Sequence, residues 1–153
     1  MRTLRRYFRL TPFERRIVFQ CSVGLMMTWA GLRLVEFGVW KNVVAALTPR
    51  VRADRGDRAL APVCGTIVRM QAAAERHLPF TPNCLDRALV LWWLLRCHGI
   101  PADVQIGGRK RQGCFEAHAW VEIEGLPVAD ADSVHRQFVR FDGPVGVMES
   151  RTR

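Results

Sequence analysis

The sequence predicts an α+β fold in which N-terminal helices are followed by a further helix packed on a small antiparallel sheet. Three observations carry that expectation. Helix-start signatures near residues 11–14 and 81–84 each open a stretch of apolar residues at helical spacing. Residues 102–124 switch to alternating apolar and polar side chains around a charged turn containing glycine, the pattern of a β-hairpin. A chain of 153 residues with 49% hydrophobic content has the length of one domain and enough apolar mass for one core.

Thr11-Pro12-Phe13-Glu14 offers an N-cap hydroxyl, a proline at the first helical position and a glutamate spaced to close a capping box. The first helix is expected from Pro12 to about Ala30, with Ile17, Cys21, Gly24, Leu25 and Thr28 recurring at helical spacing. Apolar residues also occupy the rest of its wheel, so the helix should be largely buried or covered by a partner. A second helical segment, Leu32 to Leu47, aligns Val35, Val39, Trp40 and Val43 and ends at Thr48-Pro49, which suggests a helical hairpin. Residues 49–62, rich in charge and punctuated by Pro49, Gly56 and Pro62, read as a linker or exposed loop. A third helix, about Val63 to His77, presents Ile67, Met70 and Ala74 on one side.

The second half has a sharper pattern. Thr81-Pro82-Asn83-Cys84 supplies an N-cap, a proline at the first position and a cysteine in the first turn of a helix of about 16 residues, which Gly99 stops. Ala102 to Gly107 is expected as a strand, Arg109 to Gly113 as a turn and Cys114 to Glu124 as the second strand. In that strand Phe115, Ala117, Ala119, Val121 and Ile123 share the core face, while Glu116, His118, Trp120, Glu122 and Glu124 share the other. Gly125 turns the chain into a third strand ending at Asp130, and Phe138 to Phe141 form another short alternating piece. The organisation is therefore a basic helical region, 1–58, within the same compact unit as a core at 59–153.

The formal charge of +9 is unevenly placed. Residues 1–58 hold 12 Lys and Arg against 4 Asp and Glu, whereas residues 59–153 hold 11 against 10. A basic front can attract phosphate, anionic lipid or an acidic protein, and it can equally be a solvated surface. Arg5-Arg6-Tyr7-Phe8 before an apolar run resembles a twin-arginine export signal. The longest stretch free of charge, Ile17 to Leu32, is only 16 residues and includes Gln20, Ser22 and Thr28, short of the roughly 18 a spanning helix needs. No membrane span is expected. Five cysteines, with no C-x-x-C pair, indicate reduced thiols and a cytoplasmic setting.

The chemistry converges on Cys84, His118 and Asp130. A cysteine nucleophile acts as thiolate, which a helix N-terminus and a neighbouring imidazole favour. A carboxylate then holds the base's ring in one tautomer. Cys84 stands at the start of a helix, His118 on the strand face opposite Phe115 and Val121, and Asp130 at the end of the next strand. Asp132 is the alternative orienter if that strand runs on. Cys114 and His118, four apart in one strand, lie about 13 Å apart at a rise of roughly 3.3 Å per residue, too far to share a metal. Cys97-His98 closes the helix, Trp92 and Trp93 read as core, and Arg87 is a surface or substrate-facing charge. No metal or cofactor is expected.

The run C-L-D-R-A-L-V-L-W-W-L-L-R-C-H-G-I-P-A-D-V-Q-I-G at 84–107, with F-E-A-H-A-W-V-E at 115–122 and P-V-A-D at 127–130, resembles the leader-peptidase part of the lasso peptide biosynthesis B proteins. The resemblance covers residues 63–130. It implies a papain-related, transglutaminase-like fold whose cysteine, histidine and aspartate fall on Cys84, His118 and Asp130. It further implies removal of the leader from a ribosomally made precursor, before an ATP-dependent macrolactam cyclase closes the ring. The chain is short, as in the split form of the family, in which a separate leader-recognition protein presents the precursor. Residues 1–58, where unexplained apolar area and charge coincide, are then the expected docking surface. Two positions depart from the family pattern: Asn83 stands where a small residue often precedes the cysteine, and Ala129 where asparagine often precedes the aspartate. The same three residues could also serve a transglutaminase-like acyltransferase or amidase. A non-enzymatic reading is a basic adaptor for nucleic acid or membrane.

Overall fold

The computed structural model describes residues 10–49, 51, 60–130 and 137–141. Among them are helices α1 (Pro12–Leu34), α2 (Phe37–Ala46), α3 (Leu60–Glu75) and α4 (Cys84–Cys97). The strands are β1 (Ala102–Arg111), β2 (Cys114–Ile123), β3 (Leu126–Val128) and β4 (Val139–Arg140), in the antiparallel order β3-β2-β1-β4. The α+β arrangement is the one the sequence predicts.

The capping box at α1 forms as expected: Glu14 N–H donates to Thr11 Oγ1 at 3.2 Å and Thr11 N–H to the Glu14 carboxylate at 2.9 Å. The helix continues past Ala30 to Leu34, and Val35 leaves it in an extended conformation. α2 accordingly starts at Phe37 rather than Leu32. It folds back so closely that a Cβ on Gly31 would lie 2.5 Å from the Trp40 ring, which only glycine permits. By length and composition α1 could cross a membrane. Here Ile17, Cys21 and Leu25 are fully buried in the protein core, while Phe19, Met27 and Leu34 are exposed. The 16-residue estimate stopped at charged residues, but Glu14, Arg15, Arg16 and Arg33 belong to the helix.

α3 begins at Leu60, so Leu60 to Pro62 are helical instead of loop. Pro62 is tolerated because the first turn's N–H groups have no intrahelical acceptor. Residues 50 and 52–59 of the expected loop lie outside the described residues. The N-cap of α4 is Asn83, not a residue further upstream: its side chain accepts from Asp86 N–H and the Asp86 carboxylate accepts from Asn83 N–H, both at 2.9 Å. Cys84 is therefore the first helical residue. At the other end Gly99 takes φ +76°, the left-handed stop expected there. α4 is apolar on nearly every side because it is the central element, packed on by α1, α3, β1 and β2. Leu89, Leu94 and Leu95 are fully buried, and Trp92 is core, its indole N–H donating to Ala102 O at 2.9 Å.

In the sheet, β1 runs on to Arg111 and the turn shrinks to Gln112-Gly113, both with positive φ. The second turn, Glu124-Gly125, is of the same two-residue kind. Paired positive φ values match the right-handed twist of the flanking strands and fix register, here Val104 opposite Val121 and Gly107 opposite His118. Gly107 does not end the strand. A Cβ there would lie 2.8 Å from Val139 O and 3.0 Å from Trp120 Cη2, so the glycine admits β4 and the indole together. The core face of β2 holds only in part: Ala119 and Val121 are buried beneath α4, but Phe115 and Ala117 lie on the projecting end of the hairpin and are exposed. Conversely Trp120 and Glu122, placed by alternation on the open face, are buried, because Phe138 and Arg140 cover them.

Candidate active site

Cys84, His118 and Asp130 line a single cleft between the start of α4 and the β2–β3 edge, together with Gln71 and Arg87. Each arrives by a different device. The Asn83–Asp86 capping box fixes the first turn of α4 and leaves the N–H groups of Cys84 and Leu85 without intrahelical acceptors. That helix end favours negative charge beside the sulfur. The approach to the helix is pinned from α1: Trp29 stacks on Phe80 with centroids 4.7 Å apart. Burial raises the pKa of the Asp86 carboxyl, an effect opposed by its bond from Asn83 N–H and by the Arg33 charge.

His118 is held in a layered aromatic stack. Its ring lies 6.1 Å from that of Trp120, nearly parallel to it, and 5.3 Å from that of Phe138. Trp120 is locked in turn, its indole N–H donating to Glu122 at 2.8 Å, while Arg140 donates to both Glu122 oxygens at 2.7 and 2.9 Å. His118 Nε2 faces Asp130 Oδ1 at 3.2 Å. A carboxylate only accepts, so Nε2 is the nitrogen that donates to Asp130, and Nδ1 is the one left to face another group in the cleft.

Asp130 lies beyond the strand predicted to end on it, since β3 stops at Val128. Ala129 intervenes with φ +65°, and this left-handed residue turns Asp130 back toward His118. For a residue with a Cβ that conformation costs about 1 kcal/mol or slightly more. Ala129→Asn should therefore raise stability by about 1 kcal/mol, since asparagine adopts positive φ more readily. Thermal melting checks this, and a lowered melting temperature would contradict it.

The thiol and imidazole line the same cleft, and alignment tightens when substrate fills a site of this kind. The cleft encloses about 20 Å³, room for one water. Gln71 escaped sequence reasoning although it sits four residues after Ile67 in the buried stripe of α3, where a polar side chain is out of place. Its amide donates to Arg87 O at 3.0 Å and to Glu75 at 3.2 Å. Of the other candidates, Asp132 lies outside the described residues, and Cys97 and Cys114 are exposed and free, as all five cysteines are free. Burial pushes the Cys21 thiol up to about 12 and also raises that of Cys64, which disfavours both as nucleophiles.

A helix-borne cysteine and a histidine–aspartate pair on a small antiparallel sheet define the class: a cysteine-based catalytic domain. The chain belongs to the Transglutaminase-like superfamily, whose family match covers residues 24–141. That match is to the superfamily and does not single out a lasso peptide branch. No curated protein and no solved structure matches the chain.

Proposed function

We propose that the protein is a cytoplasmic cysteine peptidase that removes the leader from a ribosomally made lasso peptide precursor. The observation supporting this most directly is the convergence of Cys84, His118 and Asp130 on one cleft. The sequence resemblance at 84–107, 115–122 and 127–130 supplies the substrate class. In this mechanism His118 Nδ1 takes the thiol proton and the sulfur attacks the carbonyl carbon at the leader's end. The oxyanion forms beside the Cys84 N–H at the start of α4. His118 then protonates the departing amine as the C–N bond breaks, leaving a thioester. Water, deprotonated by His118, attacks the thioester, releasing the leader acid and regenerating the thiol.

In this reading a separate recognition protein presents the precursor, and the macrolactam cyclase consumes the product. Phe19, Met27 and Leu34 on α1 and Val39 on α2 are exposed apolar residues near Arg15, Arg16 and Lys41, a surface suited to an acidic partner with apolar anchors. Incubating the full chain with its precursor, with and without the recognition protein, should give two peptides by mass spectrometry. A cross-linked product would instead assign the alternative acyltransferase activity, and an intact precursor under both conditions would remove the leader-peptidase reading.

A further inference from the structure

The cleft that holds Cys84 encloses only about 20 Å³. A second, larger groove of about 510 Å³ lies next to it, between the end of α3 and the segment leading to α4. That volume falls within the usual range of ligand sites. Its walls combine apolar surface from Leu78, Phe80 and Pro82 with the side chains of Glu75, Arg76 and Arg87. Arg87 lines both cavities, and the segment that forms one wall of the groove, Leu78 to Pro82, leads into the helix that carries Cys84. An extended peptide advances about 3.3 Å per residue, so a substrate seated at Cys84 can pass from one cavity to the other along Arg87.

The groove's charge favours one kind of side chain. The Glu75 carboxylate accepts from Arg87 Nε at 3.1 Å and from Gln71 at 3.2 Å, with one oxygen serving both bonds. Arg87 is engaged there only through Nε, and its side chain is 47% exposed, so its terminal nitrogens remain available to a ligand. Arg76 adds a second guanidinium to the wall. Two cations thus face the groove against one carboxylate that is already bonded. A guanidinium held by one edge against Glu75 presents its other donors in a fixed plane, the geometry that recognises a carboxylate.

We propose that this groove is a specificity site that receives an acidic residue, Asp or Glu, flanking the substrate bond cut at Cys84. The position relative to the sulfur rests on the peptidase reading; the preference for a carboxylate rests on the groove itself. The test uses two pools of fluorescein-labelled decapeptides, identical except that one carries Glu wherever the other carries Gln. Both are titrated against the full-length Cys84→Ala chain by fluorescence anisotropy, and unlabelled copies are offered to the wild-type chain for cleavage.

The Glu pool should bind about fivefold more tightly, as expected for a partly exposed charge pair, and the difference should shrink with added salt. Arg87→Gln should remove most of the preference and Arg76→Gln part of it. Because Arg87 also bonds Glu75, the comparison of the two pools on the Cys84→Ala chain and the exposed Arg76 variant decide the matter even if Arg87→Gln folds poorly. Equal binding of the two pools overturns the proposal, even if the wild-type chain cleaves both. Preferential binding of the Glu pool without cleavage of either supports the carboxylate site while counting against a peptidase.

Discussion

Replacing Cys84 with alanine is expected to lower precursor cleavage by at least about a thousandfold, the scale on which removal of a covalent nucleophile acts. The fold should survive, because Cys84 is only half-buried and the N-cap of its helix is formed by Asn83 and Asp86, not by the thiol. Cys84→Ser tests the same point more sharply: it keeps size and a hydroxyl but loses the readily formed thiolate. Both variants should retain wild-type melting behaviour and precursor binding while losing turnover, measured by mass spectrometry of released leader. Cleavage at the wild-type rate by Cys84→Ala would transfer the chemistry to another residue.

The largest expected loss of stability is at Trp120. The indole is fully buried, stacks with His118, lies at a tilt against Phe138, and donates to a carboxylate that is itself almost wholly buried. Trp120→Ala should cost about 3–5 kcal/mol through the cavity it leaves. In a domain of this size that corresponds to a fall in melting temperature of roughly 10 °C or more. The substitution also frees one side of the His118 ring, so activity should fall further than the folded fraction does. Trp120→Phe separates the two effects: it keeps an aromatic surface for His118 and loses the bond to Glu122, a cost of about 1–2 kcal/mol. Thermal melts and cleavage rates corrected for folded fraction decide this. Equal stability of Trp120→Ala and the parent would show that the stack carries little load.

Much of this architecture is legible in the sequence. The caps at Thr11 and Gly99, the apolar spacing of α4 and the alternation in β1 and β2 are local signals, and each produced its element. The three candidate residues stand out in the sequence as types in a particular order, and they line one cleft. Alternation alone could not foresee the burial of Trp120 and Glu122, because their cover arrives from Phe138 and Arg140, some 18 residues later in the chain. Nor did it foresee Gln71, whose place beside the cleft follows from the packing of α3 on α4. The left-handed Ala129 was equally hidden, since nothing about alanine advertises positive φ and the turn is imposed by its surroundings.

The tight turn at Glu124-Gly125 also has a kinetic consequence. His118 is carried by β2 and Asp130 follows two residues after β3, the strand joined to it through that reversal, so hairpin closure, a microsecond event, can bring imidazole and carboxylate near one another. Cys84 belongs to a helix whose docking must recruit residues from α1, α3 and the sheet, a non-local and slower process. A nascent chain would thus pair His118 with Asp130 early and bring Cys84 to them late, when folding is nearly complete.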